Sequence, residues 1–393
     1  MSKKVVVLGS TGSVGTQSLA VCRSRGYRVS ALTAFSNIKL LELQAREFLP
    51  QYVAIGDESL YKELKAALSG LNIRVGAGAE AVCEAAALCD SDITINSIVG
   101  IAGLRPTLAA LEAGRRLALA NKEALIAGGE LVMKTAKDHC AQVLPIDSEH
   151  SAIWQCLEAG AGCRDEVRGV ILTASGGPFF GWTGEQLADV TVEQALQHPN
   201  WSMGSKITID CATMMNKGLE FIEAMWLFGL EPSQIEVVVH RQSVVHSAVD
   251  YVDGSVIAQL SVPDMRTAIQ YAITYPNRLP LDTKRLSLTD YGSLTFEKPD
   301  LDTFTCLRVC MDAAQRGGLS PCIANGANEM AVTLFMRGWI SFLQIGELVQ
   351  SAVEHFKNGR KSATLSEIEA ADREAREYVR QLVYSKANRK IRA

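Results

Sequence analysis

Asp147 and Glu149 are separated by one residue in the run Asp147-Ser148-Glu149-His150. On an extended chain both carboxylates point to the same side. Joined by a distant third carboxylate, they make an oxygen-rich site suited to Mg2+ or Mn2+ and not to zinc. Glu220, which closes Asn216-Lys217-Gly218-Leu219-Glu220, is the candidate for that third ligand. A lone Asp-x-Glu serves equally as a solvated acidic loop or a helix cap; His150, Asn216 and Lys217 nearby favour the metal. Lys217 is a point charge suited to a phosphate, and Asn216 a donor to a phosphate or a hydroxyl. Ser175-Gly176-Gly177-Pro178-Phe179 exposes backbone amides, either as a phosphate-binding turn or as a plain chain reversal. In His198-Pro199-Asn200-Trp201-Ser202-Met203-Gly204 an indole stands beside a histidine, with Pro and Gly near the ends. That run reads as a lid closing over a polar substrate, or as a surface loop whose Trp packs inward. His246 flanks a strand end and can reach a site, whereas His139 and His355 lie in helical sequence as structural residues.

A second chemistry stands at the amino terminus. Gly9-x-x-Gly12-x-x-Gly15 follows an apolar strand and opens a helix. Glycines at that spacing permit a tight turn and bring backbone amides close to a pyrophosphate at the helix N-terminus. The spacing departs from G-x-G-x-x-G, and a tight strand–helix turn is the alternative. NAD enzymes commonly place an acid at the end of the second strand to hold the ribose hydroxyls. Here that strand ends Leu32-Thr33-Ala34-Phe35-Ser36-Asn37, and the first acid afterwards is Glu42. The missing carboxylate favours NADP(H), whose 2′-phosphate an acid would repel. Arg23, Arg25 and Lys39 are nearby in sequence, as sources of positive charge or as solvated surface residues. Ala120-Asn121-Lys122-Glu123 follows a strand, at the edge where such sheets bind ligands, and suits the nicotinamide ribose or an ordinary helix start.

These groups need a scaffold. Residues 4 to about 146 alternate strands (Val5–Leu8, Tyr27–Thr33, Tyr52–Ile55, Ile93–Ile95, Arg116–Ala120) with helical patterns, which predicts a Rossmann-like, doubly wound parallel sheet. After Pro145, Val170–Thr173, Ile235–His240 and Val256–Leu260 read as strands of a second sheet with helices between. The expected division is 1–146 for the dinucleotide domain, 147–275 for a central α/β (α+β) catalytic domain, 276–302 for a linker, and 303–393 for a C-terminal helical bundle. Gly317-Gly318 and Gly338 break the last segment, and the basic stretch Lys386–Ala393 reads as frayed.

At 393 residues, 48% hydrophobic and 21% charged, the chain has core material for two or three domains. A net charge of −4 with no basic tract argues against nucleic acid. No apolar run is long enough for a bilayer. Ten scattered cysteines show neither CxxC pairs nor zinc spacing. With no signal-type leader, they imply reduced thiols in a cytoplasmic protein.

With these motifs in view, the chain resembles the 1-deoxy-D-xylulose 5-phosphate reductoisomerase family from Val5 to the C-terminal helices. The likeness rests on Gly9-Ser-Thr-Gly-Ser-Val-Gly15, Ala120-Asn-Lys-Glu123, Asp147-Ser-Glu-His150, Ser175-Gly-Gly-Pro-Phe179, His198-Pro-Asn-Trp201, Asn216-Lys-Gly-Leu-Glu220 and Pro263-Asp-Met-Arg266. It implies Asp147, Glu149 and Glu220 as ligands of Mg2+, Mn2+ or Co2+, and Lys122, beside the reacting carbons, and His150 as further catalytic residues. It implies Ser148, Ser175, His198, Cys211, Asn216 and Lys217 as contacts of a small phosphorylated sugar, and Trp201 and Met203 as parts of a flap. Ser10, Thr11, Gly12, Ser13, Val14, Ser36, Asn37, Asn121, Glu123 and Gly204 would hold NADPH. The implied reaction is a retroaldol–aldol rearrangement of 1-deoxy-D-xylulose 5-phosphate, then hydride transfer giving 2-C-methyl-D-erythritol 4-phosphate, in a homodimer of the non-mevalonate isoprenoid pathway.

Three departures stand out. Cys211 occupies the place of a common phosphate-binding serine, and a thiol is the weaker donor. Phe35-Ser36 replaces the Gly-Lys often found before Asn37. Arg241 follows His240 where proline is common. Two other readings stay open on the residues alone: an NADP-dependent dehydrogenase of a phosphorylated sugar or aldehyde without rearrangement, and a non-catalytic dinucleotide sensor. The first would reduce an aldehyde but leave the ketose untouched; the second is disfavoured by the presence of Lys122, Asp147, Glu149 and Glu220.

Overall fold

The computed structural model describes residues 2–160, 164–201, 203–356 and 363–392. Its contacts divide into two compact units. Unit 1 is Met1–Ala124, Val132–Ser151 and Asp264–Thr283; unit 2 is Leu125–Leu131, Ala152–Pro263 and Lys284–Ala393.

Unit 1 is built on β1 (Lys4–Leu8), β2 (Arg28–Ala34), β3 (Tyr52–Ile55), β4 (Arg74–Ala77), β5 (Ile93–Asn96), β6 (Arg116–Leu119) and β7 (Val143–Pro145). They form one parallel sheet in the order β4-β3-β2-β1-β5-β6-β7. Val5, Val6, Val7 and Leu8 are fully buried, as expected of a parallel strand covered on both faces. The sequence pattern did not reveal β4 or β7. The first is a short, half-exposed edge strand, Arg-Val-Gly-Ala, and the second has only three residues. The order reverses at β1, so the turn after β1 sits at the topological switch point. Helix Met265–Thr274 belongs to this unit, although the chain reaches it only after most of unit 2.

Unit 2 carries a four-stranded mixed sheet: β8 (Val167–Ala174), β9 (Ile235–Val239), β10 (Val245–Tyr251) and β11 (Val256–Leu260), in the order β11-β10-β8-β9. Strands β8 and β9 run parallel and the remaining pairs antiparallel. Strand β10 escaped the sequence reading because His246 and Ser247 interrupt its apolar pattern, yet both are buried.

The helical C-terminal region comprises Thr305–Arg316, Ser320–Met336, Phe342–His355 and Leu365–Arg392. The first buries Cys306, Leu307, Val309, Cys310, Ala313 and Ala314, one stripe at helical spacing. Gly317, Gly318 and Gly338 all take positive φ at the breaks between helices, a conformation glycine adopts at no steric cost. Segment 276–302 holds one short 3-10 turn, Leu288–Asp290, and a bridge from Glu297 to Val239. The expected frayed tail instead continues the last helix to Arg392, consistent with its strong helix formers Lys, Arg and Ala; Ala393 lies outside the described residues. Among the described residues no helix is long and apolar enough to cross a membrane.

Candidate active site

In unit 1 the functional residues cluster where β1, β2, β6 and β7 end. Gly9 takes φ +75, and a Cβ there would stand 2.8 Å from the Ser97 carbonyl oxygen. A Cβ on Gly15 would reach 2.2 Å from the Gly9 oxygen, so helix Ser13–Arg25 can close on the turn only with glycine there. Gly12 is the N-cap and lends no side chain to the first-turn amides, which leaves them facing outward for an anion. Gly12 and Ser13 are exposed, and Thr11 and Val14 half-buried. Ser10 differs: its buried hydroxyl donates to Gln44 Oε1 at 2.7 Å, and Gln44 Nε2 returns a bond to its carbonyl at 2.9 Å. Ser10 therefore braces the turn from within, and only its main chain lines it. The 34-residue separation kept Gln44 out of any local motif.

Asn37 caps helix Ile38–Phe48, accepting from Leu40 N at 3.2 Å, with Ser36 exposed beside it. Arg23 is clamped by Glu47 at 2.5 and 2.8 Å, and Arg25 donates to Gln270 at 3.0 Å. Both therefore already have side-chain partners inside unit 1.

Adjacent parallel strands β6 and β7 deliver the next pair. Just past β6, Asn121 caps helix Lys122–Asp138; its Oδ1 accepts from Ala124 N at 3.1 Å. Its amide nitrogen donates to the Ile98 and Gly100 carbonyls and to Glu123 Oε2. Asn121, Lys122 and Glu123 are all buried. Just past β7, Asp147 precedes helix Ser148–Leu157, and Lys122 Nζ lies 2.5 Å from Asp147 Oδ2. The run 147–149 is therefore a helix opening, not an extended segment. Asp147 O accepts from Ser151 N at 2.8 Å, and Glu149 sits in the first turn. Acids belong there because the first-turn amides and the helix dipole stabilise negative charge. Ser148 donates its amide to Asp147 Oδ1 at 2.9 Å and its hydroxyl to Glu149 Oε2 at 2.5 Å. His150, next in the chain, is fully buried.

In unit 2, Ser175 follows the carboxyl end of β8, and Gly176 and Gly177 both take positive φ. A Cβ on Gly177 would fall 2.5 Å from the Cys211 carbonyl oxygen. The turn is thus pressed, at Gly177, onto the last residues of helix Ser205–Ala212. His198 Nδ1 accepts from the amides of Asn200 at 3.2 Å and Trp201 at 3.0 Å. That assigns the proton of the neutral ring to Nε2, which donates to Ser175 Oγ at 3.0 Å. Burial lowers the His198 pKa to about 4, so the ring stays neutral near pH 7. Ser175 Oγ is also reached by Gly177 N at 3.3 Å, which leaves its own proton to donate outward.

The flap run is anchored by Asn200, whose amide donates to the Arg241 carbonyl at 2.7 Å and the Ser243 hydroxyl at 3.0 Å. The Arg241 guanidinium lies 5.8 Å from the centre of the Phe180 ring. Arg241 thereby holds the base of the flap through its backbone. Trp201 is half-buried, 6.3 Å from the His246 ring. Ser202 lies outside the described residues, and Gly204 caps helix Ser205–Ala212 without a side chain.

Helix Met215–Phe228 starts after Met214, a non-glycine residue at φ 60, ψ 8, a conformation that costs energy and tends to mark functional turns. The reversal puts Asn216 and Lys217 in the first turn. Asn216 Nδ2 donates to Glu220 Oε1 at 2.5 Å, and Lys217 Nζ donates to Glu220 Oε2. Lys217 and Glu220 are buried.

A seven-stranded parallel sheet with a glycine turn at its switch point places the protein in the class of dinucleotide-dependent oxidoreductases. Family models for 1-deoxy-D-xylulose 5-phosphate reductoisomerase match residues 5–129, for its C-terminal domain residues 143–228, and for a further C-terminal domain residues 260–378. The reductoisomerase of Chloroherpeton thalassium is 48% identical over 388 residues, 98% of each chain. The reductoisomerase of Zymomonas mobilis in complex with NADPH superposes with a TM-score of 0.91 at 42% identity, covering 98% of this chain and 99% of that one. A reductoisomerase crystallised with NADPH, fosmidomycin and magnesium gives a TM-score of 0.93 at 41% identity over 97% and 98%. The chain belongs to the 1-deoxy-D-xylulose 5-phosphate reductoisomerase family.

Proposed function

We infer that this protein is an NADPH- and divalent-metal-dependent reductoisomerase, converting 1-deoxy-D-xylulose 5-phosphate to 2-C-methyl-D-erythritol 4-phosphate in isoprenoid biosynthesis. The observation that carries this is the family match along nearly the whole chain, in a chain that has the pairs Lys122–Asp147 and Lys217–Glu220 among its candidate site residues.

We propose Asp147, Glu149 and Glu220 as the metal ligands. Their carboxylates are hard oxygen donors of the kind that hold Mg2+, and Mn2+ or Co2+ is accommodated by the same set. A bound metal supplies Lewis acidity toward the carbonyl and hydroxyl oxygens of the substrate. NADPH, resting on Thr11, Gly12, Ser13 and Val14 with Ser36, Asn37, Asn121, Glu123 and Gly204, supplies the hydride; Ser10 contributes main chain only.

The chain's own groups do the rest. Ser175 donates its hydroxyl proton to the substrate phosphate, with its oxygen held by His198 Nε2–H. Lys217 offsets phosphate charge, and Asn216 and Cys211 add donors. Ser148 orients Glu149, and Lys122 orients Asp147 beside the reacting carbons. The flap with Trp201 and Met203 excludes water from a reactive aldehyde. His150, fully buried and next to Glu149 in the chain, is the further catalytic residue of this helix opening.

Further parts of the proposal are a cytoplasmic location and a homodimer formed through the sheet of unit 2. Among the described residues strand β11 is an outer edge of its sheet, with Val256 and Ile257 exposed. Edges of that kind invite pairing with another chain. The test is NADPH oxidation at 340 nm with the deoxyxylulose phosphate and Mg2+, with and without EDTA. Oxidation abolished by EDTA is expected. Oxidation of an aldehyde but not of the ketose substrate would replace the reading with a plain dehydrogenase, and NADPH binding without turnover with a sensor.

A further inference from the structure

Phe35 is 74% exposed and Val99 71%, the two most exposed large apolar side chains of unit 1 among the described residues. Both follow strands that flank β1: Phe35 comes directly after β2, and Val99 three residues after β5. They therefore stand on either side of the glycine turn, on the ligand-binding edge of the sheet. A lone exposed apolar residue needs no explanation. Two of this size at the one edge where a dinucleotide lies call for one.

Phe35 is also held firmly. Its carbonyl accepts from Asp57 N at 2.9 Å, and Gly56 N donates to Ala34 O at 2.8 Å, extending the β2–β3 ladder past the strand end. On the other side, Ser10 N donates to Thr33 O at 2.8 Å and Gly9 N to the Thr33 hydroxyl at 3.1 Å. The residue two positions before Phe35 is thus tied to the turn itself. The ring rests over Gly56, where an added Cβ would come within 2.8 Å of the Phe35 Cδ2. One edge of the ring is seated on glycine backbone and the rest faces solvent. In its register Phe35 occupies the end of the second strand, the position from which dinucleotide-binding folds reach the adenosine ribose. Here no acid is offered to the ribose and no cation to a 2′-phosphate from residues 34–37.

We propose that Phe35 is an aromatic platform on which the adenine ring of the dinucleotide stacks, so that adenosine affinity in this chain rests on a ring face. Stacking of a base on an aromatic side chain is strong and needs no hydrogen-bond pattern. Gly56 is the positioning residue: it leaves room for the ring to lie flat. The proposal rests on the dinucleotide reading above.

The test is calorimetry on the full chain with NADPH, with 2′,5′-ADP (the adenosine half alone) and with reduced nicotinamide mononucleotide (the other half alone). For Phe35→Ala the Kd of NADPH and of 2′,5′-ADP is expected to rise about tenfold, with the mononucleotide unchanged. Phe35→Trp keeps wild-type affinity, Phe35→Leu loses most of it, and Gly56→Ala weakens 2′,5′-ADP by displacing the ring. Wild-type 2′,5′-ADP affinity in Phe35→Ala, or in Phe35→Leu, overturns the platform while leaving the cofactor assignment intact. A wild-type protein that binds neither NADPH nor 2′,5′-ADP overturns both, and is told apart by that control. Because Phe35 is exposed, Phe35→Ala is expected to keep the wild-type melting temperature, which separates lost binding from lost fold.

Discussion

Among the candidate site residues, each unit holds a carboxylate against a lysine, but the two pairs are made differently. In unit 1 the partners are Lys122 and Asp147, 25 positions apart by residue number and brought to 2.5 Å by adjacent strands β6 and β7. In unit 2 they are Lys217 and Glu220, three positions apart on one helix turn. The first pair depends on a sheet; the second on helical spacing and the reversal at Met214. Burial differs too: the side chains of Lys217 and Glu220 are 5% and 1% exposed, those of Lys122 and Asp147 8% and 15%. A buried pair loses more when one partner is removed, because the other charge stays behind in a poor dielectric.

Glu220→Gln should break both function and fold stability. We expect metal-dependent turnover to fall about 1,000-fold, and stability to drop by roughly 3 kcal/mol as the buried Lys217 ammonium loses the Glu220 carboxylate. Asp147→Asn should match it in turnover but lose only about half as much stability, since Lys122 can relax toward water. Chemical denaturation with excess EDTA measures this without metal. Equal losses in the two variants would show that burial does not separate the pairs.

The lysines sharpen the same contrast. Lys217→Met removes a phosphate charge and should raise the substrate KM about 30-fold with kcat changed far less. Lys122→Met should lower kcat about 100-fold with little change in KM, if its role lies, as proposed, with the reacting carbons. Steady-state kinetics at saturating NADPH decides it; interchange of the two signatures would reverse the roles.

That contrast also explains what could be read before any coordinates. Asn216, Lys217 and Glu220 were legible because helical spacing alone puts them together. The glycine turn was legible because strand, turn and helix are contiguous. Strands β4, β7 and β10 were not: two are short and one carries buried polar groups whose partners are distant in sequence, such as His246 with Ser261 at 2.9 Å. The inward turn of Ser10 depends on Gln44, and the tautomer of His198 on two amides of its own loop. Asp147 and Glu149 share an opening helix turn in place of an extended segment, which only the capping geometry reveals.

His198, half-buried, and His246, buried, should make stability fall in acid. Burial lowers His198 and His246 to about 4, below the ordinary value of about 6.5 for an unfolded chain. Between those values the unfolded chain binds more protons than the folded one, so stability rises with pH through the window and is complete above about 6.5. The melting temperature should therefore drop as pH falls from 6.5 toward 4. His246→Gln should flatten part of that drop. The same slope in wild type and variant would mean that His246 does not carry it.

The smallest expected effect tests the phosphate end of unit 2 alone. Cys211 lies where the Ser175–Gly177 turn meets helix Ser205–Ala212. Its thiol is a weak donor, and a hydroxyl of smaller radius would bond a phosphate oxygen better. Cys211→Ser should lower the substrate KM about threefold with kcat unchanged, since a uniform ground-state contact moves KM alone. The change should persist at every pH at which His198 is neutral, because the two donors reach the phosphate independently. A KM equal to wild type would mean that Cys211 does not touch the phosphate. A raised KM would mean that the sulfur packs the turn, and that the pocket has been reshaped around it.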